Sequence, residues 1–220
     1  MPIDISAGAR RCPEALVFPT SDENTYVFPL SSSSLLKVHK GSITKWSVDG
    51  RSDAIVNSTN ELMIAGGGAD LAIHRAAGPK LRDACYDIPE IQPGVRCSTG
   101  QARITPGFRL PASRVIHTVG PIYFYDNNPQ ASLRNAYRNS LKLAKANKIR
   151  YIAFPAVCCG TYGYPLEEAA TVAISTVKEF AHDFKEVHFV LLLDDVYNVW
   201  LRKTWEKLLP VAENRCCGLL

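Results

Sequence analysis

The chain of 220 residues contains no C-x-x-C pair, no long apolar run and little excess charge of either sign. Seven cysteines, at positions 12, 85, 97, 158, 159, 216 and 217, form neither a zinc knuckle nor a thioredoxin-type redox motif, and two pairs of them are sequence neighbours. Reduced thiols in a cytosolic or nuclear compartment are therefore expected. The longest apolar stretch, Phe189 to Leu193, is far too short to span a bilayer. Arg10 and Arg11 precede no apolar segment, so no signal peptide is expected. With 25 Lys+Arg against 21 Asp+Glu, the net charge of +4 excludes a histone-like binder, and nucleic acid is not indicated. Fourteen Gly and fourteen Pro are ordinary usage, and no internal repeat or collagen-like period is present. What is present is 46% apolar content, too much for a disordered chain. A domain of this size hides roughly 70% of its unfolded surface.

Residues 1–34 show no period and carry the run Ser31-Ser32-Ser33-Ser34, which predicts a poorly ordered N-terminal segment. From Leu35 the signals alternate. Strands are predicted at Leu35–Val38, Ala54–Val56, Arg103–Thr105, Arg114–Val119, Tyr151–Phe154 and Val187–Leu193. Helices are predicted at Asp70–Ala77, at Pro79–Cys85 with proline at N1, and at Leu133–Ala146, Leu166–Phe180 and Val196–Leu209. Short apolar strands separated by helices indicate an α/β sandwich around a largely parallel sheet. The folded domain is set at 35–210, with 211–220 as a tail.

In such sheets ligands bind beyond the carboxyl ends of the strands. Two glycine loops follow strands here, Gly66-Gly67-Gly68 and Gly160-Thr161-Tyr162-Gly163. Glycine lets backbone N–H groups converge on phosphate oxygens, and a helix N-terminus adds its positive end. Neither loop is a Walker motif, and Leu71 stands where a dinucleotide fingerprint needs its third glycine. Taken singly, each loop is equally well a tight turn; taken together they favour a diphosphate. Asp70 and His74, four residues apart, share one helix face beside the first loop, where Asp70 is otherwise a cap and His74 an ordinary side chain. Asn57 and Asn60 are amides that either donate and accept to a ligand or build a turn.

The runs Asn57-Ser58-Thr59-Asn60, Gly66-Gly67-Gly68-Ala69-Asp70 and Ile73-His74-Arg75-Ala76-Ala77-Gly78 resemble the signature of MacroD-type macrodomains (Appr-1''-p processing family). So do Thr99-Gly100-Gln101-Ala102, Val115 to Pro121, and Phe154-Pro155-Ala156 with Gly160 to Pro165. The match runs in order from about Val38 to Leu209, and Ile43 to Asp49 is most similar to plant members. The resemblance implies a three-layer α/β/α sandwich with a mixed, largely parallel central sheet. It implies binding of ADP-ribose or ADP-ribosylated protein, and hydrolysis of O-acetyl-ADP-ribose or of mono-ADP-ribose esters on acidic side chains. Carried over, Gly66, Gly67 and Gly68 hold one side of the diphosphate and Gly160, Thr161 and Gly163 the other, with Ala69 and Cys159 among the ligand contacts. Tyr162 packs on the distal ribose, and Asn60 bonds its hydroxyls. Asp70 positions or deprotonates the attacking water, and His74 orients Asp70 or the ribose. Asn57, Ser42, Ile43 and Leu192 complete the expected ligand contacts. No cofactor or metal is called for.

Three positions depart from the family pattern. Ser42 replaces an aspartate that accepts from the adenine amino group, a loss of roughly 1.5–3 kcal/mol, or about ten- to hundredfold in affinity. Leu192 stands where an aromatic residue often stacks on adenine, with Tyr197 a few residues on. Leu71 replaces a glycine after Asp70. A second reading therefore stands beside the hydrolase: a non-catalytic binding module for ADP-ribose or another nucleotide, with a drifted adenine pocket. Finally, Cys217-Gly218-Leu219-Leu220 has the shape of a prenylation box, opposed by Gly218 and by a single nearby base, Arg215. Membrane association is expected only if Cys217 is lipidated.

Overall fold

The protein is described by a computed structural model that covers residues 18–19 and 24–208. Its centre is a set of strands too apolar to leave either face in water. β4 (Asp53–Ser58) is buried from its first residue through Asn57. β7 (Tyr151–Phe154) and β8 (Glu186–Leu191) are buried beyond their first residues. Such strands require helices on both faces and pair in parallel. With β1 (Phe18–Pro19), β2 (Thr25–Ser31), β3 (Ser34–Lys40), β5 (Ala102–Pro106) and β6 (Arg114–Thr118) they form one sheet, ordered β1-β2-β3-β8-β7-β4-β6-β5. The five strands from β3 through β6 run parallel, whereas β1, β2 and β5 pair antiparallel at the edges.

Five helices cover this sheet: α1 (Gly68–Ala77), α2 (Pro79–Tyr86), α3 (Pro129–Ala146), α4 (Leu166–Lys178) and α5 (Asp194–Leu208). α3, α4 and α5 bury one core with Phe154, Phe189 and Trp200 at its centre. α1 and α2 bury the other with Trp46, Ile55, Met63 and Leu81. The three layers are those the family resemblance implies. Burying each large side chain contributes about 1.5–3 kcal/mol.

The N-terminal segment departs from the sequence expectation. Thr25–Ser31, inside the stretch expected to be poorly ordered, is a strand paired with β3, and its Phe28 is fully buried against Trp205 of α5. Pro29 and the serine run hid it. The pairing shifts register between Pro29 and Ser31, where a proline near the sheet edge is tolerated. Helix α3 begins a turn earlier than expected because Asn128 caps it, its Oδ1 accepting from Ala131 N at 3.2 Å. β8 ends at Leu191, leaving Leu192 and Leu193 outside the strand and exposed. The tail 211–220, with Cys216, Cys217 and the prenylation-like box, lies outside the described residues, as does Cys12. Cys85, Cys97, Cys158 and Cys159 are free thiols. No helix among the described residues is long and apolar enough to cross a membrane.

One polar network fixes the β3–β8 end. Trp46 Nε1 donates to His188 Nδ1 at 3.1 Å, so His188 Nε2 carries the proton and donates to Glu186 Oε2 at 2.8 Å. The His188 bond, with Lys37 beside it, holds Glu186 down to about 2. Asp53 accepts from the N–H groups of Val48, Asp49 and Gly50, closing the loop after Trp46. Ser42 and Ile43 follow the carboxyl end of β3, where Gly41 N donates to Leu191 O at 2.9 Å.

Candidate active site

The first glycine loop is organised by Asp70. Its Oδ1 accepts from Asn57 Nδ2 at 2.7 Å, and its Oδ2 accepts from Thr59 Oγ1 at 3.0 Å and Gly66 N at 2.9 Å. Asp70 sits in the first turn of α1 and reaches back over the loop, which is what brings Gly66 down onto the helix start. Gly67 occupies the N-cap and has no side chain to cap with. Among the described residues, the N–H groups of Gly67, Gly68 and Ala69 meet no protein acceptor, so the positive end of α1 is open. Gly68 has φ +58, where a side chain would be strained.

Asn60 is partly spent on the same loop. Its Nδ2 donates to Ile64 O at 2.6 Å and its Oδ1 accepts from Ile64 N at 3.3 Å. One N–H and one lone pair of the amide remain for a ligand.

The second loop leaves β7 and turns through Cys158, at φ 66, and Gly163, at φ 67. Gly163 N closes onto Gly160 O at 2.9 Å, and Tyr164 N onto Cys158 O at 3.0 Å. The N–H groups of Gly160, Thr161 and Tyr162 again meet no protein acceptor among the described residues. Helix α4 starts with Pro165 at its N-cap and Glu167 and Glu168 in its first turn, and none of these residues lines the cavity.

The two loops close on one cavity of about 230 Å³, lined by Ser58, Thr59, Asn60, Gly66 to Asp70, Ala156, Cys158 and Gly160 to Tyr162. This is smaller than the roughly 300–1,000 Å³ of most small-molecule pockets, and suits part of a dinucleotide-sized ligand. Burial pushes the Tyr162 phenol up, so it is protonated at neutral pH. Burial likewise raises Cys158 and Cys159 to about 12, so both are thiols rather than nucleophilic thiolates.

Behind Asp70 runs a buried polar chain. Asn57 lies opposite His117 in the β4–β6 register, and its Nδ2 also lies 3.2 Å from His117 Nδ1. Since Nδ2 faces both the carboxylate and the imidazole, Asn57 donates to each and His117 Nδ1 is an acceptor. His117 Nε2 then carries the hydrogen and meets Thr105 Oγ1 at 2.9 Å, with Cys85 Sγ at 3.8 Å. Burial holds His117 down at about 3, so the ring is neutral. His74 Nε2 lies 3.5 Å from Asp70 Oδ1 and has no hydrogen-bond partner; burial pushes it below its usual value, and the Asp70 charge only partly opposes this.

His74, Cys85 and His117 bring their ligand atoms within 4.8 Å of one another. The donor chemistry does not suit a metal there. A metal on His117 Nε2 would drive the ring proton to Nδ1, directly against the Asn57 amide hydrogens. His117 instead supports Asp70 through Asn57, and His74 packs beside the carboxylate.

The expected site residues thus divide. Asn60, Gly66, Gly67, Gly68, Ala69, Asp70, Gly160, Thr161 and Tyr162 meet in the cavity wall, as do Ser58, Thr59, Ala156 and Cys158, which sequence reasoning missed. Cys158 rather than Cys159 reaches it; the Cys159 thiol turns back to Val157 O. Asn57 and His74 stand behind Asp70, and Gly163 closes the turn. Ile43 is buried in the second core, and Ser42 Oγ pairs with Thr44 Oγ1 at 2.9 Å. Neither they nor exposed Leu192 line the cavity.

This fold and two-loop cleft agree with comparisons to known proteins. The Macro domain family profile matches residues 56–173, and the chain belongs to that family. A Macro domain-containing protein of Xanthomonas axonopodis pv. citri is 43% identical over 179 residues, covering 81% of this chain and 97% of its own. The O-acetyl-ADP-ribose deacetylase of Salmonella typhimurium is 47% identical over 174 residues, covering 77% and 94%. The macrodomain of Oceanobacillus iheyensis, solved with ADP, superposes with a TM-score of 0.77 at 36% identity over 83% of this chain and 95% of that one. A point mutant of it has been solved with ADPR. These relatives are bacterial, unlike the plant members that Ile43 to Asp49 suggested.

Proposed function

We propose that this chain binds ADP-ribose and hydrolyses esters at its distal ribose, either O-acetyl-ADP-ribose or mono-ADP-ribose on acidic side chains. The observation that carries this reading is one cavity lined by both glycine loops, whose N–H groups are unpaired among the described residues, with Asn60, Asp70 and Tyr162 in the same wall. Six backbone donors and the open end of α1 suit a diphosphate. Tyr162 supports the ribose ring, and the free half of the Asn60 amide bonds its hydroxyls.

Asp70 acts chiefly by position. Oδ2 is filled by Thr59 and Gly66, so Oδ1, already holding Asn57, is the oxygen that holds the water. For an ester at the anomeric carbon, that water adds there as the C–O bond to the carboxylate breaks. The carboxylate leaves as a stable anion, and the water's proton passes to Oδ1 or to a diphosphate oxygen. No strong general acid is needed, and alignment supplies most of the rate. Neutral His74 orients this group. The likeness to an O-acetyl-ADP-ribose deacetylase supports the enzyme reading.

Ser42 and Leu192, outside the cavity, favour loose adenine binding. A plant-type affinity for the chain rests on Ile43 to Asp49 alone. The test is calorimetry with ADP-ribose, with AMP as control, beside release of ADP-ribose from an acid-linked modified protein. Binding of ADP-ribose with release is expected. Binding without release supports the non-catalytic module instead, and no binding overturns both.

A further inference from the structure

The two most exposed large apolar side chains among the described residues are neighbours, Phe124 at 82% and Tyr125 at 87%, with Ile122 two residues before them. They follow β6 on a segment that is tied down. Tyr125 N and Asp126 N both donate to Ile122 O, at 3.0 and 3.1 Å. Tyr123 turns inward, its ring edge-on to Tyr164 at 4.9 Å and to Phe124 at 5.2 Å. Most tellingly, Tyr123 N donates to Tyr162 O at 3.0 Å, and a Cβ on Gly163 would lie 3.7 Å from the Phe124 ring. The exposed rings are thus built onto the back of the loop that supplies Tyr162 to the cavity.

We infer that Phe124 and Tyr125 form the docking surface for the polypeptide that carries the ester, receiving the residues beside the modified Asp or Glu. The inference rests on the hydrolase reading and extends it. If Tyr162 supports the distal ribose, the bond to be cut lies at that end of the cavity. The modified side chain is only two or three carbons long, so the acceptor backbone passes directly over the adjoining rim. The surface it meets there is two aromatic faces flanked by the carboxylates of Asp126 and Glu168, the latter 3.4 Å from the Tyr123 hydroxyl. Such a surface suits an apolar or basic residue next to the modified acid and disfavours an acidic run. Rings already held on an ordered turn lose little freedom on binding. A small acyl group such as acetyl reaches neither ring.

The test pairs wild type with Phe124→Ser/Tyr125→Ser, both checked for an unchanged unfolding midpoint. Three ligands are used: ADP-ribose, O-acetyl-ADP-ribose, and a synthetic peptide ester-linked to ADP-ribose through a glutamate flanked by leucine and lysine. In the double variant, kcat/KM for the peptide is expected to fall about tenfold, while O-acetyl-ADP-ribose turnover and ADP-ribose affinity change less than twofold. Equal losses on all three, no loss on the peptide, or a wild-type dimer that the variant abolishes would each overturn the inference. A wild type that turns over neither ester defeats the hydrolase reading alone. The surface is then decided by affinity, the peptide binding more tightly than ADP-ribose in wild type and equally in the variant if the inference holds.

Discussion

Asp70 shows how much a single side chain can be asked to do. It ties Gly66 to the start of α1, holds Asn57 and Thr59 and, in the proposed reaction, holds the water, because its oxygens accept from three donors. Asp70→Asn, though isosteric, must turn an NH2 group toward at least one of those donors. We expect at least about a hundredfold loss of ester turnover, read by single-turnover kinetics at saturating ligand; an unchanged rate would remove Asp70 from the reaction. The four-residue spacing made the Asp70–His74 pair legible in the sequence. The Asn57–His117 pair was not, being sixty residues apart and joined only by sheet register. Its one signal was polar residues, Asn57, His117 and Thr105, set in otherwise apolar strands. Outside the cavity, at the turn after β3, Ser42→Asp should tighten ADP-ribose binding about ten- to hundredfold, measured by calorimetry. No gain would mean that adenine does not lie beside Ser42.

Among the elements, the loops carry the site and the strands hold them. Gly120, after β6, lies so close to the second loop that a Cβ there would sit 2.2 Å from Cys158 Sγ. Gly120→Ala should destabilise the fold by about 1–3 kcal/mol and push the thiol toward the cavity. In a Cys158→Ala background that cost should shrink, because the sulfur is what the new methyl meets. Denaturant midpoints of the four proteins check this, and additive effects would contradict it. The strand–helix alternation from β3 to α5 was legible because fully apolar runs such as Tyr151–Phe154 fit little else. β2 was not, since its burial comes from Trp205 on the far end of the chain and its Pro29 reads as a stop. Which glycine-loop neighbour faces inward was hidden too: the positive φ of Cys158 turns its side chain, not that of Cys159, into the wall.

For the whole molecule, buried titratable groups set the response to acid. His117 is neutral in the fold, held at about 3, and ordinary once unfolded, near 6.5. The unfolded chain therefore binds the extra proton first, and stability falls as pH drops from about 6.5 toward 3. Glu186, held at about 2 rather than 4.5, adds a second loss as pH falls from about 4.5 to 2. Stability is fully present above both windows. Unfolding free energy measured from pH 7 to 4 should slope less steeply in His117→Gln than in wild type; parallel slopes would show that His117 is not buried neutral.

Acetate release shows whether the two-loop cleft is a working hydrolase site centred on Asp70. O-acetyl-ADP-ribose is incubated with wild type and with Asp70→Ala, at protein concentrations where calorimetry shows equal ADP-ribose occupancy, and acetate release is timed. Wild type is expected to release acetate steadily, and the variant at a rate at least about a hundredfold lower. Binding without release in wild type would leave a binding module, and release that Asp70→Ala leaves unchanged would take Asp70 out of the reaction.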